Sequence, residues 1–100
     1  MSDSSTAAAI LTEATSIVDG ARQQAHGSRE RSFMLIANLW AEYLSQTNAA
    51  PVVLCPEHVA VMMALLKIAR SACGDSSVRD HWVDGAGYLA LAGELAGESR

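Results

Sequence analysis

The sequence predicts an all-α fold, an antiparallel four-helix bundle, on three observations. Apolar residues recur at helical spacing in four separate segments. The stretches between them are short and carry Gly, Pro, Asn or Ser, residues that end helices and make turns. Strand-like alternation is absent: Val52-Val53-Leu54 is an extended piece at most, and one strand without a partner is not a sheet.

The first helix is expected from Thr6 to about Gln24, behind a disordered arm at 1–5. Ile10, Ala14, Ile17, Val18 and Ala21 give it one apolar face. Gly20 weakens its end by up to ~1 kcal/mol relative to Ala. In His26-Gly27-Ser28, Gly27 suits a helix-ending position with positive φ and Ser28 suits the next N-cap. The second helix is expected from about Arg29 to Ser45, with Glu30 in its first turn. Phe33, Ile36, Ala37, Trp40 and Leu44 form its stripe, and Met34, Leu35 and Leu39 widen it. Gln46 to Leu54 reads as a loop.

Pro56 at a first helical position, with Glu57 behind it, opens the third helix. From Val59 to Ala69 only Lys67 is polar, which places this helix at the centre of the bundle. Cys73-Gly74-Asp75-Ser76-Ser77 reads as a turn. The fourth helix then starts near Ser77, with Asp80 as the second half of a capping pair, and runs to about Glu94 or Ala96. Gly85, Gly87, Gly93 and Gly97 each cost that helix ~1 kcal/mol relative to Ala. Close helix approach or room for a ligand is the expected return.

Length and composition bound the function. One hundred residues make one helical domain, placed at 6–97. Apolar residues make up 50%, enough for a core, and a chain this short is expected to associate with itself or a partner. A net charge of −4 without any Lys/Arg run argues against nucleic acid as partner. No run has membrane-spanning length, and the polar N-terminal segment lacks the basic and apolar regions of a leader, so a cytoplasmic protein is expected. Cys55 and Cys73 lack metal spacing and read as reduced.

One dense polar group stands out. Asp80, Asp84 and Tyr88 are four residues apart and stack along one helix face, while Lys67 and Arg70 share a face of the preceding helix. Two readings stay open. The group is an ion-pair network joining two helices, or it is a phosphate and metal site in which carboxylates hold Mg2+ and the basic side chains hold phosphate oxygens. His26, in its Gly-containing turn, is a further ligand candidate. His26, His58 and His81 do not have zinc spacing.

Four blocks carry a resemblance. They are Arg22-x-x-x-His26-Gly27, Ser32-Phe33-x-x-Ile36-Ala37-x-x-Trp40, the run Val59 to Arg70, and Asp80-x-Trp82-Val83-Asp84-x-Ala86-Gly87-Tyr88. Together they resemble a family of short phage and prophage proteins of unknown function, over about Ile10 to Glu94. That family is distantly similar to phage nucleotide-modification-associated domains and, through them, to MazG-like NTP pyrophosphohydrolases. The resemblance implies an oligomeric helical bundle, acids that hold Mg2+, and a nucleotide ligand. The pyrophosphohydrolases carry an E-x-x-E pair and a later E-x-x-D pair; here the later helix has Asp80-x-x-x-Asp84.

The expectation is therefore a small phage-type protein that binds a nucleotide or nucleotide-derived phosphate with Mg2+, with hydrolysis left open. Asp80 and Asp84 hold the metal, Lys67 and Arg70 the phosphate, Tyr88 orients the ligand, and Trp40 or Trp82 stacks on a base. A homodimer or higher homo-oligomer is expected. The alternative is a non-enzymatic phage-encoded protein acting on a host factor, with the Lys/Arg/Asp group structural.

Overall fold

A computed structural model describes residues 6–19 and 29–98, with Glu98 described in its backbone alone. The arm at 1–5, the end of the first helix, Gly20 and the turn containing His26 lie outside the described residues. Among the described residues the chain is all-α: α1 (Ala7–Asp19), α2 (Arg29–Asn48), α3 (Pro56–Cys73) and α4 (Arg79–Glu98), with no strand. No helix among them is long and apolar enough to cross a membrane.

The helix boundaries follow local chemistry. Thr6 caps α1 by accepting the Ala9 N–H on its hydroxyl oxygen at 3.2 Å. α2 runs one turn past the expected stop, because Asn48 donates its side-chain amide to the Leu44 carbonyl at 2.8 Å and satisfies one of the last orphan acceptors. Ala49 then takes φ 52°, the left-handed region, to break the helix. The connection to α3 is extended and tied by Ser45, whose Oγ accepts the Val52 N–H at 2.9 Å. Pro56 opens α3 as expected, and the Cys55 N–H donates to Nδ1 of His58 at 2.9 Å. Cys55 and Cys73 are both free and lie at opposite ends of α3. Eighteen residues of helix are about 27 Å long, far beyond disulfide reach.

α3 packs along α4, α1 packs on α4, and α2 packs on α3. The core is built largely from small residues. Ala60, Leu91, Ala92 and Leu95 form one buried cluster, with Val18, Phe33 and Tyr88 packed against it. Val59 and Val83 are the largest side chains fully out of water. Small residues at these positions let the helix axes approach closely, and the burial of their neighbours supplies about 25 cal/mol per Å2 of apolar area.

In the turn between α3 and α4, Asp75 folds back on the chain: its Oδ1 accepts both the Ser77 N–H at 2.8 Å and the Ser77 hydroxyl at 2.6 Å. α4 itself begins at Arg79, two residues beyond the expected start near Ser77. Asp80 sits in the first turn of α4, where its charge faces the helix dipole. Trp82 closes the turn from the helix side, donating its indole N–H to the Ser76 carbonyl at 2.8 Å. The side-chain and then the backbone hydrogen bond from Ser77 hold the Asp75 carboxyl below its ordinary value. A carboxyl lowered in the folded state stabilises the fold above its unfolded pKa and loses that effect as pH falls through the folded value. Asp75→Ala is therefore expected to melt lower than the parent chain at neutral pH, and the difference should shrink once the pH is taken below the ordinary aspartate range. Thermal melts of both proteins across an acid series check this; a difference independent of pH would contradict it.

Candidate functional site

The dense polar group of the sequence is centred on an ion pair between α3 and α4. Lys67 Nζ lies 3.0 Å from Asp84 Oδ2, and the two side chains are only 15% and 22% exposed. The short turn sets their axial levels, and Gly85 lies beside the Lys67 stem: a Cβ placed there would stand 3.8 Å from Lys67 Cβ, in ordinary contact. The Lys67 stem thus runs against α4 while its ammonium reaches the carboxylate. The remaining members of the group are less engaged. Asp80 and Arg70 are exposed, and Tyr88 is half-buried against the core cluster.

Asp84 and Tyr88 also line a cavity of about 330 Å3. Its other walls are Ala14, Ile17 and Val18 of α1, Arg29 and Phe33 of α2, and Val83, Gly87 and Leu91 of α4. The cavity therefore opens between α1, α2 and α4, and not in the seam between α3 and α4 where the sequence spacing places it. The cause is the ion pair: acid and base meet in contact, so that seam is closed.

Several candidate residues stand apart from this cavity. Trp82 is 46% exposed and committed to the Ser76 carbonyl, and Trp40 is half-buried on α2; neither lines the wall. His26 lies outside the described residues. Among the described residues no three His, Cys, Asp or Glu side chains converge as a metal cage.

Arg29 is a wall residue that sequence spacing did not single out, and Phe33 was read there only as part of the α2 apolar stripe. Arg29 donates from Nη1 to the Val18 carbonyl at 3.1 Å and holds Nη2 at 3.5 Å from Glu94 Oε2. It thereby links α2 to α1 and α4. A basic residue at a helix start opposes the dipole, and that local misfit was the available signal. A second link, the ion pair of Arg79 with Glu13, fastens α1 to the start of α4.

Comparison with known proteins gives two findings. Residues 9–96 match the family described as "Domain of unknown function (DUF6378)". Over 82 residues the chain is 42% identical to the "Gene 55 protein" of Mycobacterium phage L5, an alignment covering 82% of this chain and 49% of that protein. The chain thus spans about half the length of that relative. No solved structure matches.

The ion pair has a measurable consequence. Removing one partner leaves the other charge partly buried and unpaired, which costs about 3–5 kcal/mol for a fully buried pair and less where water reaches it. Lys67→Met and Asp84→Asn are each expected to destabilise the chain by about 1–3 kcal/mol. The double variant should recover part of the loss. Denaturant unfolding of the four proteins gives the coupling; a gain in stability on Asp84→Asn would instead mark an acid strained by a neighbouring acid, as in a metal site without its ion.

Proposed function

The chain belongs to the DUF6378 family, and on that premise we propose that it is a phage-type protein that binds a nucleotide or nucleotide-derived phosphate together with Mg2+. The observation that supports this most is the cavity of about 330 Å3 beside the Lys67–Asp84 pair. Its volume falls at the small end of ligand pockets and suits a compact molecule. Phe33 and Tyr88 offer aromatic faces to a base. Arg29 on the cavity wall and Lys67, paired with the wall residue Asp84, are the cations for phosphate oxygens, with Arg70 exposed one turn further along α3. Asp80 and Asp84 are the acids for Mg2+, which takes one or two carboxylates and completes its shell with phosphate and water. The ion supplies charge to the phosphate; the chain supplies position. A two-metal hydrolase brings more acids than these two, so the proposal stops at binding. A MazG-like antiparallel arrangement of the four helices belongs to the same reading.

The partner proposed is a second copy of the chain, in the cytoplasm of the host cell. Val61, Met62, Leu65, Leu66 and Ile68 of α3 are all exposed, as are Met34, Leu35, Leu39 and Tyr43 of α2. An outer helix half this apolar marks an interface. A second reading uses the same observation: a host protein covers that face, and the closed Lys67–Asp84 pair is only structural.

Two measurements separate these readings. A thermal-shift series of nucleoside mono-, di- and triphosphates, each with and without Mg2+, should show one class raising the midpoint. At a hundred times its Kd that ligand adds about 2.7 kcal/mol. No shift with any of them sinks the nucleotide reading. Light scattering at tens of micromolar should give twice the mass of the chain, and Leu65→Glu should return it to monomer. A monomeric parent protein contradicts self-association and leaves the α3 face to another protein.

A further inference from the structure

Along α4, Val83, Gly87 and Leu91 follow at four-residue intervals, with Asp84 and Tyr88 beside them, and all five face the cavity. Val83 and Leu91 are buried. Gly87 interrupts the row: a Cβ built there meets nothing within 4 Å. Glycine in a helix interior is less stable than alanine, and close backbone approach is the usual return. No such approach exists at Gly87, whereas at Gly85 a Cβ would rest in ordinary contact with the Lys67 Cβ at 3.8 Å. What Gly87 provides is space, a notch between two apolar side chains.

The charge in the cavity is equally specific. Asp84 is the acid on its wall, and Lys67 neutralises it at 3.0 Å. Arg29 is the base, and its contact with Glu94 at 3.5 Å is longer than the roughly 2.7–2.9 Å of a full charge-assisted bond. Glu94 is itself 51% exposed. An incoming anion can replace Glu94 on the guanidinium, and Glu94 can return to water.

We infer that the cavity takes a small aromatic anion, its flat ring seated in the notch over Gly87 beside Phe33 and Tyr88, and its anionic group on Arg29. This rests on the cavity of the proposed function and deepens it by assigning the ring and the anion to separate residues. Gly87 sets the depth of the site and therefore the size of ring admitted.

The test uses the full chain and phenyl phosphate as probe, followed by saturation-transfer NMR. Benzyl alcohol and inorganic phosphate serve as the ring-only and anion-only arms. Phenyl phosphate should bind, with inorganic phosphate weaker by about tenfold or more, the scale of a buried ring. Gly87→Leu fills the notch and should abolish binding of both phenyl phosphate and benzyl alcohol. Gly87→Ala, which helix propensity favours, should melt no lower than the parent and bind phenyl phosphate more weakly, so loss of binding is separable from loss of fold. Arg29→Gln should weaken phenyl phosphate about tenfold and leave benzyl alcohol unchanged. Undiminished phenyl phosphate binding in Gly87→Leu overturns the inference, as does an equal effect of Arg29→Gln on both ring probes. If every nucleotide fails while phenyl phosphate binds through Gly87 and Arg29, the nucleotide reading falls and the cavity assignment stands.

Discussion

The close approach of α3 and α4 is the constraint on which the rest of the structure depends. It is possible because buried positions on both helices are small: Ala60 and Ala64 on α3, Ala92 on α4. With the axes near each other, Lys67 and Asp84 meet directly and fix the rotation of one helix against the other. Mispairing would leave a charge partly buried, so the pair selects one register more than it adds net stability. α1 and α2 are then placed by the outer sides of this pair of helices, α1 on α4 and α2 on α3. Among the described residues their own link is narrow, the Arg29 guanidinium reaching the Val18 carbonyl, and the cavity opens beside it.

The same arrangement divides α3 into two apolar halves. One half, with Val59, Ala60 and Ala64, is buried against its neighbours. The other presents Val61, Leu65 and Ile68 to water. A helix on the surface of a lone domain ordinarily carries charge on that side. Burial of such a stripe at about 25 cal/mol per Å2 is a substantial drive toward association. The cavity lies on the α1 side of α4 and includes no α3 residue on its wall. Covering the outer half of α3 therefore leaves the cavity open.

Much of this was legible in the sequence where a residue acts through its own backbone or its own helix. Pro56 marks a helix start because it lacks an N–H and its φ is already helical, and it marks one here. The axial match of Lys67 with Asp84 follows from the short turn and the rise per residue. Rotation does not follow from spacing, and so contact and open gap could not be told apart until the helices were packed. The turn before α4 hides a similar detail: Asp75 folds back to accept from Ser77, a local bond that helix spacing does not report. Arg29 and Phe33 entered the cavity wall from an element distant in sequence, which no local periodicity reports. The extra turn of α2 is closed by side-chain bonds of Thr47 and Asn48 to the Tyr43 and Leu44 carbonyls, details that helix propensity does not report.

Two local rules are broken in opposite directions. At Ala49 the backbone takes φ 52°, a conformation that favours glycine, and the chain uses alanine. At Gly87 the backbone is helical, a conformation that favours alanine, and the chain uses glycine. The first costs about 1 kcal/mol at an exposed helix end and needs only the cap provided by Asn48. The second costs a similar ~1 kcal/mol in the middle of α4, where Val83 and Leu91 on either side show that the position can be filled. A methyl group at Gly87 would improve the helix and meet no neighbour. Stability alone therefore favours alanine there, and what separates Gly87 from Ala49 is the cavity in front of it. Natural chains depart from local consistency where a site requires it, and among the α4 glycines Gly87 is the one on the cavity wall.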